Sequence, residues 1–317
     1  MDISIIIRTL NEAKWLPDLL QAVRRQELRG LSCETVVVDS GSTDGTLEIA
    51  ASFGCKIVKI EKSKFTFGRS LNYGCEAARG RYLVLISGHC VPVGNDWLFN
   101  LCQPLEDDIC DYGYGRQIAR GGYSKYSEKC LFLKYFPDSS KLPQGDFFCN
   151  NANSVLRRDT WEKYRFDEEV TGLEDMALAK QLWLDGGKIG YAADAVVEHI
   201  HEESWAQIRR RYEREAIALQ GIMPEIHVSF SDFLRYTATG ILFDSAAALQ
   251  ERRLLSHIGE IVMFRTMQYW GTWRGNNDHR KLSREAKEKY FYPRSTERSP
   301  SRGSEFSNRR APADEGA

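Results

Sequence analysis

"ETVVVDSGSTDGTLEIAASFGCKIVKI", residues 34–60, contains a complete strand, loop, helix and strand. "TVVV" is a β-branched run without polar alternation, the pattern of a strand covered on both faces. It ends on Asp39, and Ser40, Gly41, Ser42, Thr43, Asp44 and Gly45 follow as a loop. "TLEIAASF" then reads as a helix closed by Gly54, and "CKIVKI" (55–60) as the next strand. The same alternation extends to both sides. "ISIII" (3–7) is a strand, and "NEAKWLPDLLQAVRR" has apolar residues at helical spacing, with Pro17 resetting the helix start. "GRSLNYGCEAARG" reads as a helix and "RYLVLI" (81–86) as a fourth strand. Alternation of this kind predicts an α/β fold with a mostly parallel central sheet and helices on both faces.

After Pro104 the pattern loosens. "YGYGRQIA" (112–119) reads as an isolated strand, and "GGYSKYSEKCLFLKYFPDSSKLPQ" (121–144) as an irregular, mobile loop. "NNANSVLRR" is strand-like and leads to a short helix near Trp161. "EDMALAKQLWLDGG" is helical and closed by Gly186, and "KIGYAADAVVEHIH" is strand-like. Ser204 and Gln207 have the spacing of a capping box, and residues 232–273 read as further helices. Three segments are expected: an α/β domain over 1–220, a helical extension over 221–292 and a disordered tail over 293–317.

Composition is that of an ordinary globular chain: 317 residues, 42% hydrophobic, 27% charged, net charge −1. So even a balance gives no reason to expect nucleic acid as a partner. The eight cysteines form no C-x-x-C pair and lie mostly in apolar runs, which suits reduced core thiols. No apolar run reaches the ~18 residues of a membrane span, and no cleavable leader is evident. The expectation is a cytoplasmic protein that touches the inner face of a membrane at most.

Several residue groups admit both a structural and a chemical role. Asp39, at the carboxyl end of a buried strand, suits a ligand crevice but also suits a helix cap. Asn11-Glu12 carries the same ambiguity. Glu174-Asp175 opens a helix, where the dipole favours acids; a carboxylate there can equally serve as a general base. His199 and His201 share one strand face, open to metal, phosphate or solvent. Arg209, Arg210 and Arg211 form either a solvated helix face or a diphosphate contact. "SGHCVP" (87–92) ends the fourth strand with His89 and Cys90, a turn, a metal ligand or a thiol nucleophile.

In order, "IIIRTLNE", "VVVDSGSTDGT", "FGRSLNYGCEAARGRYLVLISGHCVP", "NNANSVLRRDTWEKYRFDEE", "TGLEDMALAKQLWLDGGKIGYAADAVVEHIH" and "RRRYEREA" resemble family 2 glycosyltransferases of GT-A fold. The resemblance covers residues 3 to about 216 and is close to the rhamnosyltransferase-like branch that builds bacterial surface polysaccharides. It implies transfer, with inversion, from a nucleotide-sugar donor to a saccharide or lipid-linked saccharide hydroxyl. Thr9, Glu12, Asp39 and Asp44 then belong to the donor's nucleoside end. Arg69, His89, Arg210 and Arg211 belong to its diphosphate and sugar. Asp175, beside Glu174, matches the catalytic base, and His199 matches a histidine that meets metal or diphosphate. The family's Asp-x-Asp-like motif is replaced here by Gly88-His89-Cys90. A divalent cation, Mn²⁺ or Mg²⁺, would then rest on His89, His199 and His201, and imidazoles suit Mn²⁺ better. Three alternatives stand beside this: a sugar nucleotidyltransferase, an inactive saccharide-binding scaffold and a retaining transferase.

Overall fold

β1 (Ile3–Thr9) and β2 (Cys33–Asp39) run parallel, paired from Ile3 opposite Cys33 to Thr9 opposite Asp39. Because side chains alternate along a strand, successive residues enter different cores. Ile5, Ile7 and Val37 pack with α1 (Leu16–Arg24), α2 (Thr46–Ser52) and α4 (Trp97–Glu106). Ile6, Val36 and Val38 pack on the other side with α3 (Phe67–Ala77), α6 (Arg158–Tyr164) and α7 (Glu174–Leu184). The unbroken β-branched runs thus reflect a sheet with both faces covered. The computed structural model describes residues 1–278; the expected tail over 293–317 lies outside them.

The sheet is completed by β3 (Lys56–Lys59), β4 (Tyr82–Ser87), β5 (Cys90–Pro92), β6 (Tyr112–Ala119), β7 (Asn153–Arg157) and β8 (Ile189–His199), in the order β3-β2-β1-β4-β7-β6-β8-β5. The first four strands are parallel to one another. β7 then runs antiparallel to both β4 and β6, β5 runs antiparallel to β8, and β6 is parallel to β8. The parallel order holds in the first half and gives way to a mixed second half.

Two local expectations are corrected. Tyr112–Ala119 is no isolated strand: it lies between β7 and β8 in the sheet. The segment read as a loop contains α5 (Tyr126–Tyr135), which buries Tyr126, Glu128, Leu131 and Phe132. Helix punctuation matches the sequence. Pro17 sits in the first turn of α1, and Gly54 and Gly186 follow α2 and α7 with φ of +74° and +87°. Ser204 and Gln207 close a capping box at the start of α8 (Trp205–Ile222). α9 (Phe230–Gln250) and α10 (Leu254–Asn276) follow, with α10 packed along both α8 and α9.

Candidate active site

β1, β2 and β4 end together at Thr9, Asp39 and Ser87, and their following loops form one rim. Asp39 is buried. Its Oδ1 accepts from the backbone N–H groups of Gly41 and Ser42, each at 2.9 Å. Its Oδ2 accepts from the Thr9 hydroxyl at 3.1 Å and from the Ser42 hydroxyl. Gly41 has φ +101°, the conformation that turns the loop back over the carboxylate. Asp39 is therefore no cap of α2, whose cap position is Gly45. Asp44 serves that end instead, accepting from Thr46 N at 3.2 Å and from Ala13 N at 3.0 Å. Asn11 joins the same loop through Ser42 and Thr43.

Gly88 and His89 form the turn between β4 and β5. A Cβ at Gly88 would lie 2.9 Å from Glu12 Cγ and 3.0 Å from the Arg8 carbonyl oxygen. A side chain at position 88 would require Glu12 to shift. The antiparallel pairing of Cys90 with His199, with Ile200 N donating to the His89 carbonyl at 3.2 Å, brings His89 to His199 and His201. Ring centroids of His89 lie 5.2 Å from His199 and 5.7 Å from His201, and those two are 4.1 Å apart.

Each imidazole meets an oxygen through Nδ1: His89 with Glu12 Oε1 at 2.8 Å, His199 with Gln117 Oε1 at 2.6 Å, His201 with Glu128 Oε1 at 2.6 Å. An oxygen acceptor at Nδ1 assigns the proton there in a neutral ring and leaves the lone pair on Nε2. His199 Nε2 is buried and has no hydrogen-bond partner among the described residues. Burial first, and then the neighbouring imidazoles and Arg211, hold His199 well below the usual imidazole range. Burial, then Arg211, His89 and Lys125, do the same to His201. Ring nitrogens of all three lie within 4.8 Å of one another. Convergent imidazoles, oriented through Nδ1 by oxygen acceptors, fit a divalent transition ion. Mg²⁺, which wants oxygen ligands, finds none in this triad. Cys90 is fully buried and its thiol is pushed far above its ordinary range by that burial, so no thiolate nucleophile is present.

The third element is the start of α7. Its cap residue Leu173 has φ +57°, a strained backbone for a side chain of this size. Glu174 and Asp175 are both buried. Glu174 accepts from Arg8 Nη1 at 3.1 Å, and the Arg8 guanidinium lies 5.0 Å from the Phe67 ring centroid. Asp175 Oδ2 accepts from Asn151 N and its Oδ1 from Met176 N, each at 2.8 Å. Burial, and then the Glu174 charge, push Asp175 up to about 7. Asn151 lies two residues before β7, and the Ala152 carbonyl accepts from Ser87 N at 3.4 Å. Antiparallel pairing of β7 on β4 thus sets Asp175 at the rim that carries His89.

The remaining candidates are not all gathered here. Arg69 is committed to Glu168 at 2.6 Å and to the Lys64 carbonyl. Arg211 pairs with Glu128 at 2.9 Å and Glu203 at 2.7 Å, behind His201. Arg210, one residue away and so about 100° around the helix, is exposed. Arg8, Gln117 and Glu128 went unnoticed in the sequence. An arginine inside "IIIRT" is the available signal for Arg8; Glu128 has none, since no clean apolar stripe marks its helix.

The sequence profile described as glycosyl transferase family 2 matches residues 4–165, slightly more than half of the chain. The chain belongs to that family and is a glycosyltransferase. It is 26% identical over 224 residues to the O-antigen chain rhamnosyltransferase RfbN of Salmonella typhimurium, covering 67% of this chain and 70% of that protein. It is 29% identical over 200 residues to the poly(ribitol-phosphate) β-N-acetylglucosaminyltransferase TarS of Staphylococcus aureus, covering 61% of this chain and 34% of TarS. In fold it is similar to the mannosyltransferase PcManGT of Pyrobaculum calidifontis in complex with GDP-Man and Mn²⁺, with TM-score 0.58 and 18% identity over 91% of this chain and 87% of that one. A TarS fragment, residues 1–349, in complex with UDP-GlcNAc aligns with TM-score 0.53 and 15% identity over 86% and 92% of the two chains. The fold is GT-A, with helices added at the C-terminal end.

Proposed function

We propose that the enzyme transfers a sugar from a nucleotide-sugar donor to a saccharide or lipid-linked saccharide hydroxyl, with inversion, in the assembly of a bacterial surface polysaccharide. Asp175 is the base: it takes the acceptor hydroxyl's proton as the oxygen attacks the anomeric carbon. The observation that carries this reading is the high proton affinity of Asp175, buried against Glu174 at the rim shared with the imidazoles. A carboxyl matched to neutral pH is what general-base work needs. Arg8 pairs with Glu174 at 3.1 Å, and its charge offsets part of the rise at Asp175.

Thr9, Glu12, Asp39 and Asp44 form the nucleoside end. Asp39 already accepts four hydrogen bonds, so it acts by holding the loop 40–43 in shape. His89, His199 and His201 would hold a divalent cation, Mn²⁺ in preference to Mg²⁺. Bound there, such an ion would supply positive charge to the leaving diphosphate. Glu12, Gln117 and Glu128 orient the rings. The names of the relatives, a rhamnosyltransferase and a β-N-acetylglucosaminyltransferase acting on cell-surface polymers, support the acceptor class.

The test is a thermal-shift screen of nucleoside diphosphates and nucleotide sugars, with and without Mn²⁺. Ligands that bind the folded state raise its melting temperature by mass action. One base should stand out, and Mn²⁺ should enlarge its shift more than Mg²⁺. Equal, small shifts for every nucleotide would sink the reading.

A further inference from the structure

α9 and α10 form an antiparallel hairpin joined by Glu251, Arg252 and Arg253, and each helix leaves one face uncovered by the described residues. On α9 the exposed side chains include Leu234, Leu242, Phe243 and Leu249; on α10 they include Leu255 and Ile258. Phe243 is 77% exposed and Leu255 is 94% exposed, far beyond what scattered surface apolar residues require. Between Tyr236 and Leu249 no exposed residue is charged: the one acid, Asp244, is buried and paired with Arg265 at 2.7 Å. Asp232 pairs with Arg235, Glu251 with Lys129, Arg274 with Glu213, and Glu260 accepts from Tyr126 N. Among the described residues of the hairpin the charges without an ion pair are Glu260, held by the Tyr126 N–H, and two cations, Arg252 and Arg253. Both are at the turn, within a few residues of Leu249 and Leu255.

An apolar tip flanked by surplus cations complements a surface that offers hydrocarbon below and negative headgroups above. A second copy of the chain would present the same surplus of positive charge and not its complement. Neither helix is long and apolar enough to cross a bilayer, so the pair lies on it. The tip also adjoins the site. A cleft of about 590 Å³ is lined by Arg253 and His257 of α10, Phe132 and Leu133 of α5, and Arg120 and Gln117 at the end of β6. Gln117 is the partner of His199, and Phe132 stacks on the His199 ring at 5.6 Å. The cleft thus joins the hairpin turn to two residues, Gln117 and Phe132, that touch His199.

We propose that the α9–α10 hairpin docks the enzyme on an anionic lipid bilayer, with Leu249 and Leu255 entering the headgroup layer and Arg252 and Arg253 meeting lipid phosphates. This rests on the reading above only in that it gives a lipid-linked acceptor a surface to arrive from. Bare vesicles contain neither donor nor acceptor, so docking and transfer succeed or fail separately. The full chain should float with vesicles of phosphatidylglycerol and phosphatidylethanolamine and stay behind with phosphatidylcholine alone. Binding should weaken as salt is raised. Leu255→Asp and Arg252→Glu should each weaken it about tenfold, while melting temperature and nucleotide binding stay as in the parent. No binding to anionic vesicles, or equal binding by parent and variants, would overturn the proposal. So would a concentration-dependent dimer by light scattering that Leu255→Asp abolishes in the absence of vesicle binding, which would make this face a subunit interface.

Discussion

Asp39 and Asp175 are both buried acids at one rim of the sheet, and both collect two backbone N–H groups. They differ in what else surrounds them. Asp39 also receives two hydroxyls, so every lone-pair direction is occupied by a donor from its own neighbourhood. Asp175 instead has Glu174 beside it, and burial next to that charge raises its proton affinity. The first arrangement fixes a loop, and the second leaves a carboxyl with raised proton affinity.

Substitution at Asp175 should break this contrast most sharply. Asp175→Asn keeps the shape and removes the base, so turnover should drop on the order of 10²–10⁴ while donor affinity is retained. Donor titration on the same sample verifies that the variant is folded. Near-normal turnover would show that the acid is only part of the helix start.

A smaller loss is expected at the imidazoles. His89→Ala should lower turnover about 10- to 100-fold and blunt the response to added Mn²⁺. Cys90→Ala, next to it but buried as a neutral thiol, should change little. Equal, small effects from both would reduce Gly88-His89-Cys90 to a turn. Treatment of the parent with EDTA should abolish turnover, with Mn²⁺ restoring it better than Mg²⁺; turnover that survives chelation would exclude the ion.

Asp39→Ala should act on binding and not on the chemical step. Losing the loop's organiser should cost about 1–3 kcal/mol in affinity. Free nucleoside diphosphate should weaken as much as the full donor, as calorimetric titration can show. An unchanged dissociation constant would confine Asp39 to local loop stability.

The same division between the two halves explains what could be read from sequence. β1 to β4 are parallel strands covered on both faces, so their β-branched runs and the Gly and Pro punctuation between them identify them locally. β6 pairs with β7 and β8, roughly forty and eighty residues downstream, and such distant pairing leaves no trace in a short window. α5 hides for another reason. Its buried side includes Ser127 and Glu128 beside Leu131 and Phe132, so no clean apolar stripe runs along it. His199 and His201 show their shared face by their spacing. That His89 joins them depends on the three-residue strand β5 folding onto β8, which periodicity cannot reveal. That the sequence has Gly88-His89-Cys90 here is visible in it; that Gly88 lies against Glu12 and the Arg8 carbonyl is not.

The most direct test of Asp175 as a stressed base is the pH dependence of kcat/KM in the parent and in Glu174→Gln. A base must be deprotonated to work, so activity should rise with pH along an acidic limb near the raised value of about 7. Removing the Glu174 charge relieves part of the stress and should move that limb to lower pH, while burial keeps it above the ordinary carboxylate range. A limb that stays in place in Glu174→Gln, or a parent profile flat through neutral pH, would contradict the assignment.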